Sequence, residues 1–343
     1  MAQFDTHSIR QGDRLALSRA LTAVENDLPS SRTILADLFP FTGHAHLIGV
    51  TGATGTGKSS LVNQLAKAFR SSHNFNPIPK IAIIAVDPSS PFTGGALLGD
   101  RIRMQDLAGD KGIFIRSMAS RGALGGLAHK TAAFTTILDG AGYDIIIIET
   151  VGAGQAEIDI TRLAHTVIVV EAPGLGDGIQ AIKAGILEIA DILVVNKADR
   201  PDAENTARAL RMMLEITYGN GNMPVAGKHR LQREAQKSQG KITKNPVWTP
   251  PIQLTIATEG SGIPALVTQI IEHKSFLKET GLWHAKEAHR LRQDLQALIR
   301  DTLVRRWQAD LNQDEYASII EKVIKRKLTP QEAVDLLVKH PNT

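Results

Sequence analysis

The sequence predicts an α/β fold in which a doubly wound, mainly parallel sheet carries helical additions before and after it. Between residues 46 and 257, short aliphatic runs alternate with stretches of helical periodicity. The runs are continuously apolar, a pattern typical of strands buried on both faces. Helical crossovers between such strands favour parallel pairing, and ligands of such sheets bind at the carboxyl ends of the strands.

Seven aliphatic runs supply the predicted strands. They cover residues 46–51, 80–86, 113–115, 144–148, 166–170, 191–195 and 252–256. Polar or glycine-rich segments follow several of these runs directly, at the edge where the carboxyl ends of parallel strands meet. We therefore expect the functional residues in those segments.

The chain divides into three predicted regions. They are an N-terminal helical extension over residues 1–42, a central α/β domain over 43–275 and a C-terminal helical region over 276–343. In the first region, apolar residues from Leu17 to Leu28 have helical spacing, and a second short helix ends near Pro40. We interpret these helices as scaffold that extends the central domain.

A basic segment, residues 219–250, interrupts the central domain. Glycines and asparagines open it, two prolines close it, and between them lie several Lys and Arg with few apolar residues. The segment is either a docking patch for an acidic partner or a solvated surface loop, because runs of like charge are usually just solvated.

The C-terminal region contains one long helix with a wide apolar face, predicted over residues 283–309. Apolar residues from Leu291 to Trp307 recur on that face, and the opposite face is rich in Arg and Lys. Such a helix needs a surface that buries it. Two more helices are predicted over residues 313–327 and 330–339, and Thr329 is the expected N-cap of the second. The region is either a dimerisation arm or packs back onto its own subunit.

Composition excludes several classes of protein. Among 343 residues, 43% are hydrophobic and 22% charged, which indicates an ordinary globular chain. Cysteine is absent, so disulfides, Cys-based zinc sites, iron–sulfur ligation and thiol catalysis are excluded. The net charge of +4 does not favour nucleic acid as a partner. The N-terminus has no apolar core of signal-peptide length and no run is long enough to span a membrane, so we expect a cytoplasmic protein.

A phosphate-binding motif follows the first predicted strand. Residues 52–59 match the full G-x-x-x-x-G-K-S pattern, and an amphipathic helix comes next. Glycines let backbone N–H groups converge on an anion, and the start of a helix adds its positive end. Lys58 can neutralise the β- and γ-phosphates, and the Ser59 hydroxyl is suited to bind Mg²⁺. An ordinary glycine-rich turn, the alternative, would not require these flanking elements.

The motif and its flanks predict a P-loop NTPase fold. The predicted phosphate-binding residues are Gly52, Ala53, Thr54, Gly55, Thr56, Gly57, Lys58, Ser59 and Ser60.

A base-recognition motif, Asn196-Lys197-Ala198-Asp199, follows the sixth predicted strand. The Asp199 carboxylate can accept from N1–H and the exocyclic amine of guanine, whereas adenine would leave it unpaired. Asn196 can bond the base and help fix the loop, and the Lys197 stem can lie along the ring. The motif predicts GTP and GDP as ligands; otherwise it is only a polar turn after a strand. Backbone N–H groups of Ala257 and the residues after it could bond the guanine oxygen.

Acidic residues near two strand ends are candidates for a magnesium site. Asp87 follows the second predicted strand, Asp100 lies just beyond it, and Glu149 ends the fourth. Because Mg²⁺ takes few carboxylates and completes its shell with phosphate oxygens and waters, these acids suffice beside Ser59. Asp100 alternatively only caps a helix that begins near Arg101.

The glycine-containing loops after residues 86, 149 and 171 are predicted switches. The Gly152 N–H can meet the γ-phosphate, and either Gln155 or Glu157 could position the attacking water, which sequence leaves open. A loop over residues 171–185 could direct Lys183 at the nucleotide or at a partner. The predicted catalytic residues are Lys58, Glu149, Gln155 and Lys183.

Together these strings resemble one family, the methylmalonyl-CoA mutase-associated GTPases of the MeaB/ArgK type. The strings that carry the resemblance are residues 50–59, 85–95, 98–101, 149–155, 173–177 and 196–199. The resemblance runs over nearly the whole chain. It implies a homodimeric GTPase that acts as a chaperone for an adenosylcobalamin-dependent mutase, gates cofactor loading and protects the mutase from inactivation.

The resemblance also implies roles for single residues. Lys58 and Ser59 would bind phosphate and Mg²⁺, with Asp87, Asp100 and Glu149 around the metal. Asp199 would read guanine, and Ile256, Ala257 and Thr258 would replace a Ser-Ala-x guanine loop. The isoleucine keeps the backbone contacts of that loop but loses a side-chain bond, and the basic segment over residues 219–250 is longer than usual for the family.

Two other functions compete with this one. An ArgK-type kinase would need an acceptor site with a general base, and no acceptor motif is evident. A GTPase metallochaperone for nickel or zinc would need Cys or clustered His ligands, but Cys is absent and the 11 His are scattered.

Overall fold

The computed structural model of the chain describes residues 5–72, 75–87, 104–107, 109–119, 126–150, 163–174, 189–218 and 247–338. The chain separates into two compact units, Met1–Arg290 and Leu291–Thr343. The predicted Asp100, Gly152, Gln155 and Lys183, and almost all of the basic segment over residues 219–250, lie outside the described residues.

A parallel sheet forms the centre of the first unit, and its described strands number seven. They are β1 (His46–Thr51), β2 (Ile81–Asp87), β3 (Ile113–Ala119), β4 (Ile145–Thr150), β5 (Thr166–Glu171), β6 (Ile192–Asn196) and β7 (Ile252–Thr255). They pair in the order β3-β2-β4-β1-β5-β6-β7, every neighbouring pair parallel. The predicted fold class is therefore confirmed.

Strand β3 is longer than the sequence suggested. Its predicted end was residue 115, because Arg116 and Ser117 interrupt the apolar run. Pairing with β2 nevertheless continues to Ala119, and the Arg116 guanidinium bonds Glu25 Oε2 at 2.5 Å. A local apolar pattern could not reveal a partner 91 residues away.

The sheet is buried on both faces because neighbouring side chains of one strand enter different cores. In β4, Ile146 and Ile148 join a core with the N-terminal helices, whereas Ile145 and Ile147 face the core on the other side. All four are at most 2% exposed. Burying such side chains contributes about 1.5–3 kcal/mol each, which explains the continuous aliphatic runs.

Helices of the first unit cover both faces. Those described are α1 (Thr6–Arg10), α2 (Arg14–Glu25), α3 (Ser30–Leu38), α4 (Lys58–Ser71), α5 (Gly126–Gly140), α6 (Ala203–Tyr218) and α7 (Ile263–Glu279). Apolar residues of α1, α2, α3 and α5 share one core, while α4 and α7 share the core on the opposite face. A third core joins α6 to β5 and β6.

The N-terminal helices are continuous with the central core. Leu17 and Leu21 of α2 and Ile34 of α3 are at most 2% exposed in the core that includes α5. At the end of α5, the Asp139 carboxylate accepts hydrogen bonds from the backbone N–H groups of Gly43, His44 and Ala45 at 2.6, 3.3 and 3.0 Å. This bond set fixes the chain just before β1.

A long helix, α8 (Leu282–Asp310), begins in the first unit and continues into the second. The second unit also contains α9 (Gln313–Ile324) and α10 (Pro330–Val338). The predicted cap is confirmed, because the Glu332 N–H donates to Thr329 Oγ1 at 3.2 Å while the Glu332 carboxylate accepts from the Thr329 N–H at 2.9 Å. Among the described residues, none of the helices combines the length and the hydropathy needed to cross a membrane.

Candidate functional site

The glycine loop follows β1 and wraps the start of α4. Gly52, Gly55 and Gly57 have φ of +140°, +85° and +92°, values that favour glycine. A Cβ at Gly52 would lie 2.1 Å from the Val170 carbonyl oxygen, and one at Gly57 would lie 2.4 Å from Asn196 Nδ2. Glycine is therefore required twice, for backbone conformation and for close approach to neighbouring loops.

Lys58 lies at the first turn of α4, and its side chain folds into the loop. Its ammonium is buried and donates to the carbonyl oxygens of Gly52 at 2.8 Å and Ala53 at 2.9 Å. Thr56 Oγ1 also donates to Ala53 O at 3.0 Å, which closes the loop from within. The loop thus carries a positive charge at a helix N-terminus, an arrangement suited to anions.

A hydroxyl and a carboxylate lie together beside this charge. Ser59 Oγ donates to Glu149 Oε1 at 2.6 Å, and Glu149 is only 5% exposed. The register of the sheet explains their proximity, because Val50 of β1 pairs with Glu149 of β4. One residue further, Thr150 Oγ1 donates to Thr51 Oγ1 at 3.2 Å and ties the two strand ends together.

The remaining predicted metal ligands are only partly described. The backbone of Asp87 ends β2, beside β4, where Ala85 pairs with Glu149. The sheet therefore brings the ends of β1, β2 and β4 to one edge. Oxygen donors such as Ser59 and Glu149 fit Mg²⁺, which favours hard oxygen ligands and keeps several waters.

Asn196 connects three loops through its side-chain amide. Its Nδ2 donates to Thr56 O in the glycine loop at 2.8 Å. Its Oδ1 accepts from Thr255 Oγ1 at 3.1 Å and from the Ala257 N–H at 3.0 Å. Each of these hydrogen bonds contributes about 0.5–1.5 kcal/mol to stability. Because Asn196 is buried, loss of its amide would leave buried donors and acceptors without a hydrogen-bond partner.

The rest of the base-recognition motif turns outward. Lys197 has φ of +59°, and its Nζ donates to Gly55 O at 2.6 Å, a second bond to the glycine loop. Asp199 lies two residues on and is exposed, so its carboxylate is accessible at the edge that carries the glycine loop. These positions suit a nucleotide whose phosphates meet the glycine loop and whose base meets Asp199.

The loop after β7 differs in part from expectation. The Ala257 N–H, which was expected to face guanine, donates to Asn196 Oδ1. The side chain of Ile256 is partly exposed, and its N–H donates to Ser261 O at 3.1 Å. Ala257 therefore acts here through Asn196, whereas Thr258 is exposed.

Threonines at strand ends are the part of the site that sequence reasoning missed. Thr51, Thr150 and Thr255 are each 1% exposed and bond across neighbouring strands or to Asn196. A threonine that ends an aliphatic run is too common to mark a site, because threonine also favours strands.

Comparison with known proteins places this site in a family. Residues 17–312 match the family described as Methylmalonyl Co-A mutase-associated GTPase MeaB. A Pyrococcus horikoshii protein that is named as a GTPase is 43% identical over 331 residues, 96% of this chain and 95% of that protein. GTPase ArgK of Escherichia coli is 36% identical over 277 residues, 80% of this chain and 76% of that protein.

A solved structure agrees with the sequence match. The crystal structure of LAO/AO transport system kinase has a TM-score of 0.67 and 25% sequence identity, and the alignment covers 98% of this chain and 96% of that one. With the glycine loop and the Asn-Lys-x-Asp motif on one edge of a parallel sheet, the chain belongs to the MeaB family of GTPases.

Proposed function

We propose that this GTPase serves an adenosylcobalamin-dependent acyl-CoA mutase of the methylmalonyl-CoA type, for which it gates cofactor loading and protects the enzyme. The observation that carries the proposal is the match of residues 17–312 to a family described as mutase-associated. GTP hydrolysis would be slow in the isolated chain and faster when the mutase orders the loops around the nucleotide.

Within the reaction, the described residues bind and orient the nucleotide. The Lys58 ammonium, now bonded to Gly52 O and Ala53 O, would turn to the β- and γ-phosphates. Asp199 would accept from the guanine edge while Asn196 holds the glycine loop and the loop after β7 at a fixed separation. Positioning and charge stabilisation would supply most of the rate enhancement, because phosphoryl transfer needs little covalent help.

Mg²⁺ is the proposed metal, held by Ser59 with Asp87, Asp100 and Glu149 around it. When bound, it would neutralise charge that develops on the phosphate oxygens. Glu149 orients the Ser59 hydroxyl through their 2.6 Å hydrogen bond and is therefore positioned to align it for the metal. Gln155, with Glu157 as the alternative, is the proposed group that positions the attacking water. Lys183 is the proposed contact to the nucleotide or to the partner.

A homodimer through the C-terminal region is proposed as the assembled form. Leu291, Leu295 and Leu298 on α8 are 40%, 58% and 38% exposed, and Ile299 and Leu303 beside them are 48% and 60% exposed. Such a stripe of large apolar side chains is typical of a surface that another chain covers. A second copy of the same helix would present a complementary stripe.

The kinase alternative has one supporting observation, the similarity to LAO/AO transport system kinase. It is separated from GTP hydrolysis by the fate of the γ-phosphate, which a kinase delivers to an acceptor and a GTPase to water. The metallochaperone alternative gains no support from the part of the chain that the structure describes, where no group of three or more His, Asp or Glu is arranged to hold a metal ion.

Guanine specificity is expected to depend on Asp199. Wild-type protein should hydrolyse GTP in preference to ATP, and Asp199→Asn should bind GTP about 10- to 100-fold more weakly, since charged hydrogen bonds are worth about 1.5–3 kcal/mol. The same variant should gain affinity for xanthosine triphosphate, whose carbonyl can accept from the new amide. Titration with fluorescent nucleotides measures both effects. The control is Asp202→Asn, on the same exposed loop, which should leave the preference for GTP over ATP unchanged. Equal use of GTP and ATP by the wild type would contradict guanine recognition.

The role of Glu149 in the magnesium site is testable by a near-isosteric change. Glu149→Gln keeps an oxygen that can accept from Ser59 but loses the charge, so the Mg²⁺ concentration for half-maximal GTP turnover should rise about 10- to 100-fold. Turnover and magnesium-dependent nucleotide affinity are measured over a Mg²⁺ titration. Glu215→Gln, an exposed glutamate on α6, is the matched control. An unchanged Mg²⁺ requirement in Glu149→Gln would remove Glu149 from the proposed site.

The dimer is tested by a charge placed in the apolar stripe. Leu295→Glu should weaken self-association at least about 100-fold, because each subunit loses about 1.5–3 kcal/mol of burial. Sedimentation velocity over a concentration series measures the change. The control, Leu15→Glu, alters a leucine of similar exposure on α2, 60% against 58% for Leu295. A monomeric wild type, or equal dissociation by both variants, would exclude this interface.

The mutase proposal is tested with both proteins present. Adding stoichiometric methylmalonyl-CoA mutase should raise the GTP turnover on the order of 10-fold or more, as partners do for other GTPases that they activate in trans. The rate is followed by phosphate release, and complex formation by size-exclusion chromatography. Lys58→Ala, which lacks the loop ammonium, controls for contaminating hydrolysis. Absence of both a complex and a rate change, with GTP still hydrolysed, would reject the mutase as partner and keep the GTPase.

A further inference from the structure

A second buried polar cluster lies at the amino-terminal edge of the sheet, opposite the nucleotide site. We call it the amino-edge cluster; it joins the starts of β1 and β5 and the residue before β6 to α7 and to the first turns of α8. None of its members belongs to the predicted site. They are His46, His165, Thr166, Asp191, His273, Lys286, Glu287 and Arg290.

His165 is the centre of the cluster and is bonded on several sides. Its Nδ1 accepts from the Leu47 N–H of β1 at 3.0 Å, so the ring proton lies on Nε2, which donates to Glu287 Oε1 at 2.6 Å. Its ring stacks on Trp283 with centroids 3.9 Å apart, and its carbonyl accepts from Lys286 Nζ at 2.5 Å. His165 thereby joins β1 to α8 in one neutral tautomer.

The charge of Glu287 is held inside the protein by two partners. Burial raises the pKa of its carboxyl, but hydrogen bonds from His165 and Arg290 outweigh burial and lower that pKa to about 2. Arg290 Nε and a terminal guanidinium nitrogen reach the two carboxylate oxygens at 3.2 and 2.8 Å. Burial also lowers the pKa of His165, despite Glu287, in agreement with a neutral ring.

A second branch runs through a single hydroxyl. Thr166 Oγ1 lies 2.7 Å from His46 Nε2 and 2.9 Å from His273 Nδ1, and His273 Nε2 lies 3.5 Å from Asp191 Oδ1. Asp191 Oδ2 is 3.4 Å from Lys286 Nζ, so both branches meet on α8. Burial, followed by the nearby His165, lowers the pKa of His46 well below its usual range.

The strands that begin in this cluster end in the nucleotide site. β1 runs from His46 into the glycine loop, and β6 runs from beside Asp191 to Asn196. β5 begins at Thr166 and places the Val170 carbonyl against Gly52. At about 3.3 Å per residue, β1 and β5 each span roughly 17 Å and β6 spans roughly 13 Å. The residues at both ends of each strand are buried.

We propose that the amino-edge cluster is a conformational latch: guanine-nucleotide binding changes the hydrogen bonds and ion pairs that fix the first turns of α8 to the sheet. A buried ionic network adds little stability over apolar packing, but it permits few arrangements, so a small shift of β1 against β5 changes its bonds together. Nucleotide contacts act on the far ends of those strands. The proposal rests on guanine-nucleotide binding by this GTPase and is independent of the mutase.

Hydrogen exchange of the full-length chain tests the latch directly. Exchange over residues 282–290 is measured by mass spectrometry without nucleotide, with saturating GDP and with a saturating non-hydrolysable GTP analogue. The rate in this segment should differ at least about fivefold between two of these states, the usual scale of coupling between linked sites. Equal rates in all three states, with nucleotide binding shown separately by a fluorescent GDP, would overturn the proposal.

Variants then assign the coupling to the cluster. Glu287→Ala removes the acceptor of both His165 and Arg290. In this variant, residues 282–290 should exchange fast, and nucleotide should change their exchange rate less than about twofold. Glu287→Gln keeps an acceptor, so nucleotide should change the exchange rate by an intermediate factor. Coupling between two sites is reciprocal, so loss of the coupling should also appear in nucleotide binding. Glu287→Ala should therefore change the ratio of the GTP-analogue affinity to the GDP affinity by the same factor as the lost coupling. The control, Glu321→Gln, alters an exposed ion pair on α9.

Circular dichroism establishes that each variant is folded before exchange is measured. If Glu287→Ala does not fold, Glu287→Gln carries the test, and a response equal to the wild type in that variant overturns the latch. A wild-type response in folded Glu287→Ala overturns it as well. Because no mutase is present, these outcomes are separate from the fate of the mutase proposal.

Discussion

Parallel pairing with burial on both faces is the constraint on which the rest of the first unit depends. All described neighbouring strands run in one direction, so their carboxyl ends converge on one edge and their amino ends on the other. Because the interior of the sheet is mainly aliphatic, most of the polar groups described above lie at these two edges. The glycine loop, Glu149 and Asn196 therefore gather at one edge, and the buried histidines gather at the other.

At the nucleotide edge, side-chain hydrogen bonds fix the loops that lie beyond the backbone pairing of the strands. Strand pairing ends before the loops begin, and the single amide of Asn196 fixes the glycine loop against the loop after β7. This tie also explains a glycine, because any Cβ at position 57 would collide with that amide. The proposed phosphate and base subsites would thus be held at a set distance before the ligand binds, which lowers the ordering cost of binding.

The family places a GTPase activity on this scaffold, and the two units suggest how it could be used. The first unit holds the nucleotide edge and the amino-edge cluster, from which α8 departs. The second unit displays large exposed apolar side chains that need a covering surface. A nucleotide cycle that altered the bonds between the amino-edge cluster and α8 would give such a protein a means of signalling to a partner.

Much of the fold could be predicted from the sequence, because its signals are local. Continuous aliphatic runs marked all seven described strands to within a few residues, with β3 extended by pairing to its neighbour. The glycine loop and the Asn-Lys-x-Asp motif could likewise be identified from the sequence, because their chemistry depends on residues that are close together in the chain. The sequence also suggested that Asn196 could fix its loop.

What only the tertiary structure decided was which distant residues meet. Ser59 and Glu149 are ninety positions apart, and the sheet register brings them within 2.6 Å. His165 and Glu287 are 122 positions apart, and neither lies in a motif. The sequence by itself determined the strands, the phosphate loop and the base; the pairing of strands and the packing of α8 determined the contacts, because hydrogen bonds between remote side chains leave no local pattern.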